Sequence, residues 1–190
     1  MPRAGLSTQR VVEEAALLAD ETASTDIPLA ALAERLGVRV PSLYKHVAGA
    51  DDLQRRVALS ARAELGTVLT ESAVGLARGD AIVAIATAYR SWALAHPGRY
   101  ALTLRAPRAD DADDLTVSTR AIGVFFDVLA GYGLEGDDAI DATRHLRSLL
   151  HGFVSLVAAG AFELPDLDRS FDRMVTSATR SLVTWSTEAR

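Results

Sequence analysis

Apolar residues recur at three- and four-residue intervals along nearly the whole chain, and period-two alternation is almost absent, which predicts an all-α protein. A first helix starts with Ser7 or Thr8 as N-cap and runs to about Glu21, burying Val11, Val12, Ala15, Ala16, Leu18 and Ala19. The polar run from Thr22 to Asp26 leads into PLAALAERLGVRVPSLYKHV at 28–47. Within it Leu29, Leu32, Ala33 and Leu36 mark a second helix, Gly37 tolerates positive φ, and a short third helix can begin at Pro41. Two short helices crossing over Ala33, Val38 and Leu43 form a helix-turn-helix. Asp51 and Asp52 then complement the N-terminal dipole of a long helix reaching about Val74, closed by residues 75–80.

The remaining arcs predict further helices. Ile82, Ile85, Ala86, Tyr89, Trp92 and Ala93 share one face of a helix that His96, Pro97 and Gly98 stop, and a short helix from Arg99 to about Arg105 follows. Val117, Ala121, Val124, Phe125, Val128 and Tyr132 mark the next. Of the last two, one runs from about Asp137 to Gly160 with Ile140, Thr143, Leu146, Leu150, Phe153, Val154 and Val157 on its apolar arc. The other runs from Asp168 to about Thr187 with Phe171, Met174, Val175, Ala178, Leu182 and Trp185, and Pro165 separates the two.

The outward face of the third helix carries Arg39, Val40, Ser42, Tyr44, Lys45 and His46, a set of donors, hydroxyls and cations suited to phosphates and base edges in the major groove of double-stranded DNA. An αα-hairpin whose polar residues merely face water fits the same pattern. The net charge is −5, yet residues 1–65 hold eight Arg or Lys against nine Asp or Glu, so this end is nearly neutral. Affinity for DNA would then rest on placed cations, namely Arg3, Arg10, Arg39 and Lys45, the last being the only lysine in the chain.

With 190 residues, 49% of them hydrophobic, the chain can build a substantial core. The absence of cysteine excludes disulfide and thiolate chemistry. There is no leader-like start and no apolar run of the ~18–20 residues a bilayer span needs, so a cytoplasmic protein with no membrane partner is expected. HExxH, a Gly-rich phosphate loop and a G-x-S-x-G elbow are all missing, and neither an enzyme, a cofactor nor a metal site is expected. His145 follows Asp141 by four residues and is read as its local hydrogen-bond or ion-pair partner. His151 is read as a pocket or core histidine. Asp110, Asp111, Asp113 and Asp114 are read as a surface loop and helix start, with a cation site as the alternative.

Two further sets follow from the arcs. Tyr89, Trp92, Tyr100, Phe125, Leu146 and Phe153 could line a cavity for a small, mostly apolar ligand, although plain core packing is the simpler account of each. Gly152 and Ala159 would allow close backbone approach, and Phe171, Met174, Ala178 and Leu182 give a stripe that two copies of the chain could bury in a homodimer; packing within one chain is the alternative.

LAERLGVRVPSLYKHV followed by Asp51-Asp52-Leu53 resembles the DNA-binding domain of the TetR family of bacterial repressors. AYRSWALAHPGRYAL at 88–102 and LRSLLHGFVSLVAAGAFELPDLDRSF at 146–171 resemble the regulatory domains named for their Trp, His and Gly positions. The resemblance implies a three-helix DNA-binding domain over residues 1–50, a connecting helix over about 51–74, and a regulatory and dimerisation bundle of about six helices over 75–190. It implies a repressor that binds a palindromic operator as a homodimer and answers a small-molecule effector, with Arg39, Val40, Pro41, Ser42, Tyr44, Lys45 and His46 at the DNA. The competing class is a helical-bundle carrier or enzyme with a purely structural helix-turn-helix. Two departures stand out. Arg39 occupies the family's Ser or Thr cap position, and Arg cannot accept a hydrogen bond; Pro41 in the first turn partly compensates. Ala50 replaces a common phosphate-contacting Lys, which implies a shallower salt dependence by about one unit of slope.

Overall fold

The computed structural model describes residues 6–163 and 165–188, the last three for their backbone alone, and Arg3 lies outside that range. The described residues form helices and no strand. They are α1 (Thr8–Thr22), α2 (Leu29–Arg35), α3 (Val40–Leu43), α4 (Ala50–Ser72), α5 (Arg78–Ala95), α6 (Pro97–Thr103), α7 (Ala112–Ala130), α8 (Gly136–Ala158) and α9 (Leu167–Glu188). Ser7 caps α1, its hydroxyl accepting the Arg10 N–H at 3.2 Å. Gly37 takes φ +66° after α2, as the turn requires. α5 stops at Ala95 as expected, and α6 starts at Pro97, two residues before Arg99, because proline's missing N–H costs nothing in a first turn.

The chain folds as two compact units that interleave in sequence, unlike the contiguous segments 1–50 and 75–190. One comprises residues 1–63 and 95–117, the other 64–94 and 118–190. The first is centred on Val11, Ala15, Ala19, Ile27, Leu32, Leu43, Leu53 and Val57, with Leu102 of α6 completing the same cluster. Gly98 makes this possible. A Cβ there would stand 2.8 Å from the Asp20 nitrogen and closer still to the Ala19 carbonyl, so only glycine lets α6 lie on the end of α1. Asp20 secures the contact, accepting the Arg99 backbone N–H at 2.8 Å and Arg99 Nε at 2.6 Å, with His96 Nδ1 at 3.2 Å.

The second unit packs the end of α4, α5, most of α7, α8 and α9. Ile85, Leu69, Phe125, Leu129, Leu134 and Leu182 are almost fully buried there. Gly66 on α4 faces Ala121 on α7 so closely that a Cβ would lie 2.8 Å from the Ala121 Cα. Ala139 and Ala142 are buried on α8 while Ile140 is exposed, a small rotation of the expected arc.

Candidate DNA-reading head and effector cleft

The reading head is held from beneath. Val38 N–H donates to Ala33 O at 2.9 Å, closing the turn around Gly37, and Leu43 and Val47 are buried in the first unit's core. Arg39 sits at the N-cap in an extended conformation without a side-chain cap, and the Ser42 N–H donates to its carbonyl at 2.8 Å. α3 proper is a single turn. Tyr44, Lys45 and His46 continue it as a tighter turn, closed by His46 N–H to Leu43 O at 2.8 Å. Arg39, Pro41, Tyr44 and Lys45 are exposed, Tyr44 at 57%, while Ser42 and His46 are half-buried.

Two residues of this face also touch the fold beneath it. Val40 is partly buried against the core, because an apolar side chain at the first position of so short a helix turns inward rather than toward a groove. His46 Nδ1 lies 3.4 Å from Thr8 Oγ1, which ties the end of the reading turn to the start of α1. Arg39, Lys45 and Arg10 form no ion pair among the described residues, whereas Arg35 is consumed by Glu14 and Glu21. Hydrogen bonding from Arg35 holds the Glu21 carboxyl below its usual range.

The acidic run has a role that the sequence did not suggest. Asp111 binds Arg55 through two hydrogen bonds, one of them 2.6 Å, and this contact pulls its carboxyl down to about 2 although burial opposes the shift. Asp114 is buried with Arg62, whose guanidinium also donates to the carbonyls of Thr103 and Arg105 at the end of α6. Arg108 Nη2 reaches Asp51 at 2.6 Å and holds that carboxyl low. Asp111 and Asp114 are therefore structural counter-ions, while Asp113 and Asp114 stand in the first turn of α7, the expected helix start. The only hint in the sequence was Arg55 and Arg62 seven apart on one face of α4. Asp141 pairs with Arg144 at 3.1 Å, not with His145, whose ring lies 5.4 Å from that of Trp185. His151 Nδ1 lies 3.3 Å from Ser155 Oγ.

In the second unit a wholly apolar cleft is lined by Ile82, Ala86, Phe125, Leu146, Leu149, Leu150, Met174, Val175 and Ala178. Its volume is about 10 Å³, the room of one water molecule, so the side chains nearly fill it. Of the six residues expected at a ligand site it unites Phe125 and Leu146. Tyr100 belongs to the other unit. Tyr89 is buried outside the cleft, and Trp92 turns its Nε1 to Glu64 Oε1 at 3.0 Å. Phe153 stacks with Phe162 and Phe171 at 5.4 and 5.1 Å, with Arg90 over its face. The dimer set shifts too. Phe171, Ala178 and Leu182 are buried in this chain's own core, and Met174 and Ala178 line the cleft, so these four offer little to a second copy. Gly152 is half-buried and Ala159 exposed; Leu156, between them on α8, is exposed at 45%, and Val183 on α9 at 55%.

A family model described as "Tetracyclin repressor-like, C-terminal domain" matches residues 82–178, the same span that supplies the cleft. Over 173 residues the chain is 39% identical to the uncharacterized HTH-type transcriptional regulator Rv0681 of Mycobacterium tuberculosis, covering 90% of this chain and 79% of that one. This chain belongs to the TetR family. The uncharacterized HTH-type transcriptional regulator YobS of Bacillus subtilis is 34% identical over 85% of this chain and 84% of its own. Apo ActR from Streptomyces coelicolor shares the fold with a TM-score of 0.74 at 18% identity, over 98% of this chain and 99% of that one. No described helix of this TetR-family regulator is long and apolar enough to cross a membrane.

Proposed function

We propose that this TetR-family regulator is a ligand-responsive repressor that binds a palindromic operator as a homodimer and is released by a small, mostly apolar effector. The observation that carries the reading is the head itself: Arg39, Tyr44 and Lys45 project from a helix-turn-helix whose other side is anchored by Leu43 and Val47. Two such heads about 34–36 Å apart would read successive major grooves on one face of the duplex. Half-buried Gly152 with exposed Leu156 and Ala159 on α8, and exposed Val183 on α9, are the residues proposed to meet the second copy. The apolar cleft is the proposed effector site. ActR, solved in complex with (S)-DNPA, has the same fold, which supports ligand response. An effector that favours one arrangement of the heads must supply the coupling, typically ~1–3 kcal/mol, and α4 is its proposed carrier because its residues belong to both units.

The test is a genome-wide in vitro selection of DNA fragments. Enrichment of a palindromic site, its loss with Tyr44→Ala, and a dimer in sedimentation at micromolar concentration are expected. No enriched sequence, or a monomer bound to half-sites, would overturn the reading.

A further inference from the structure

The turn from α8 to α9 holds a groove that shares no lining residue with the apolar cleft. Its volume is about 380 Å³, the size of a small-molecule site, whereas the cleft has the room of one water molecule. Phe153, nearly buried, and Phe162, 39% exposed, give it two aromatic rings 5.4 Å apart and tilted by 43°. Ala161, Pro165 and Leu167 complete its apolar lining. Its polar groups are Ser170 and Glu163, both exposed, and Glu163 is the one charged residue of the lining. That carboxylate forms no ion pair among the described residues.

The surroundings are negative as well. Between Ala159 and Asp168 the chain carries Glu163, Asp166 and Asp168 and no Arg, Lys or His, and Arg169, which follows, does not line the groove. α8 ends beside Ala161 with no basic residue in its last turn to offset the negative end of its dipole. The aromatic cluster already holds one cation: the Arg90 guanidinium lies 5.5 Å over Phe153 and 4.9 Å over Phe171. Asp168 neutralises that guanidinium at 2.7 Å, which leaves the charge of Glu163 uncompensated.

We propose that this groove is a second ligand site and takes an amphiphilic cation, an aromatic ring on a short chain that ends in an ammonium group. The ring lies against Phe153 and Phe162, and the ammonium donates to the Glu163 carboxylate, with the Ser170 hydroxyl as a further acceptor. A carboxylate in the same place would meet Glu163 and the end of α8 with like charge, and a neutral group would forgo both attractions. The site stands apart from the cleft, so its failure leaves the reading of the cleft untouched.

The probes are 4-phenylbutylammonium, 4-phenylbutan-1-ol and 4-phenylbutyrate, which share one body and differ in charge, titrated against the full chain by amide chemical shifts. The ammonium should bind tightest and the carboxylate weakest, with shifts centred on Ala161, Phe162 and Glu163 and not on Leu146 or Ala178 of the cleft. In Glu163→Gln the Kd of the ammonium should rise about two- to fivefold, as loss of a partly exposed ion pair implies, while that of the alcohol stays put. Added salt should narrow the gap between ammonium and alcohol in the parent. Phe162→Ala should weaken both. Each variant alters an exposed side chain, and parent-like amide shifts in the rest of the chain will verify the fold. An alcohol or carboxylate that binds as tightly as the ammonium, an unchanged ammonium Kd in Glu163→Gln, or shifts confined to the cleft overturns the proposal. So does failure of all three probes to bind; if Phe162→Ala then also moves the sedimentation profile toward monomer, the groove belongs to the second copy.

Discussion

Replacing Gly98 by alanine tests whether the contact between α1 and α6 holds the first unit together. The new Cβ would lie 2.8 Å from the Asp20 nitrogen and nearer still to the Ala19 carbonyl, where ordinary contact needs about 3.5 Å; these are backbone atoms that cannot rotate away. α6 must therefore back off by about 1 Å or more. That displacement lengthens the Arg99 N–H to Asp20 bond from 2.8 Å beyond hydrogen-bonding range and strains the 2.6 Å bond from Arg99 Nε. Overpacking costs about 1–3 kcal/mol and each hydrogen bond to a charged group about 1.5–3, and these terms overlap, so a loss of roughly 3–5 kcal/mol is expected. Urea unfolding followed by circular dichroism measures it directly. Gly123→Ala is the control, because its Cβ would meet nothing within 4 Å and alanine is the better helix former. A Gly98→Ala protein within about 0.5 kcal/mol of the parent, or a crystal structure of it with the Asp20–Arg99 bonds intact, would refute the argument.

Other expectations are more local. Lys45→Ala should weaken binding to a selected operator and flatten the plot of log affinity against log salt by about one unit, and Ala50→Lys should steepen it by the same amount; parallel plots would count against both assignments. Stability should fall as pH drops from about 4 to about 2, since the Asp111 carboxyl, held low by Arg55, is still charged in the folded state when the unfolded chain has already taken up its proton. An acid melting series in which Asp111→Asn keeps the parent's slope would contradict this. Leu182→Ala should cost about 2–5 kcal/mol at any protein concentration, because the side chain is fully buried in one copy. Val183→Asp should leave the monomer's stability within about 0.5 kcal/mol and shift the sedimentation profile toward monomer.

Helix positions were legible because their signals are local. Ser7, Gly37 and Asp52 mark helix ends through bonds made within about a turn of themselves, and Asp51 does so by its place in the first turn of α4. The helix-turn-helix was legible for the same reason, although the partial burial of Val40 depends on the neighbouring core. What periodicity could not assign was the partner of each buried face. The α9 stripe is apolar whether it meets a second chain or α8 and α5 of its own, and only the folded structure shows Phe171 and Leu182 already covered. Likewise Asp114 looks like any carboxylate in an acidic run until α4 brings Arg62 to it from 52 residues away. Long-range pairings of this kind leave no spacing rule in the chain.

The interleaving of the two units bears on engineering. The chain passes from one to the other after Ala63, after Leu94 and after Val117, inside α4, at the last residue step of α5 and inside α7. A chimera that exchanges only the first 50 or 74 residues would part Val11 and Ala19 from Leu102, the residue that completes their core. A transplantable module is instead the pair of segments 1–63 and 95–117, moved together. Because its seams are helical, each splice must conserve residue count as well as sequence: one residue gained or lost in α4 turns everything beyond it by about 100°.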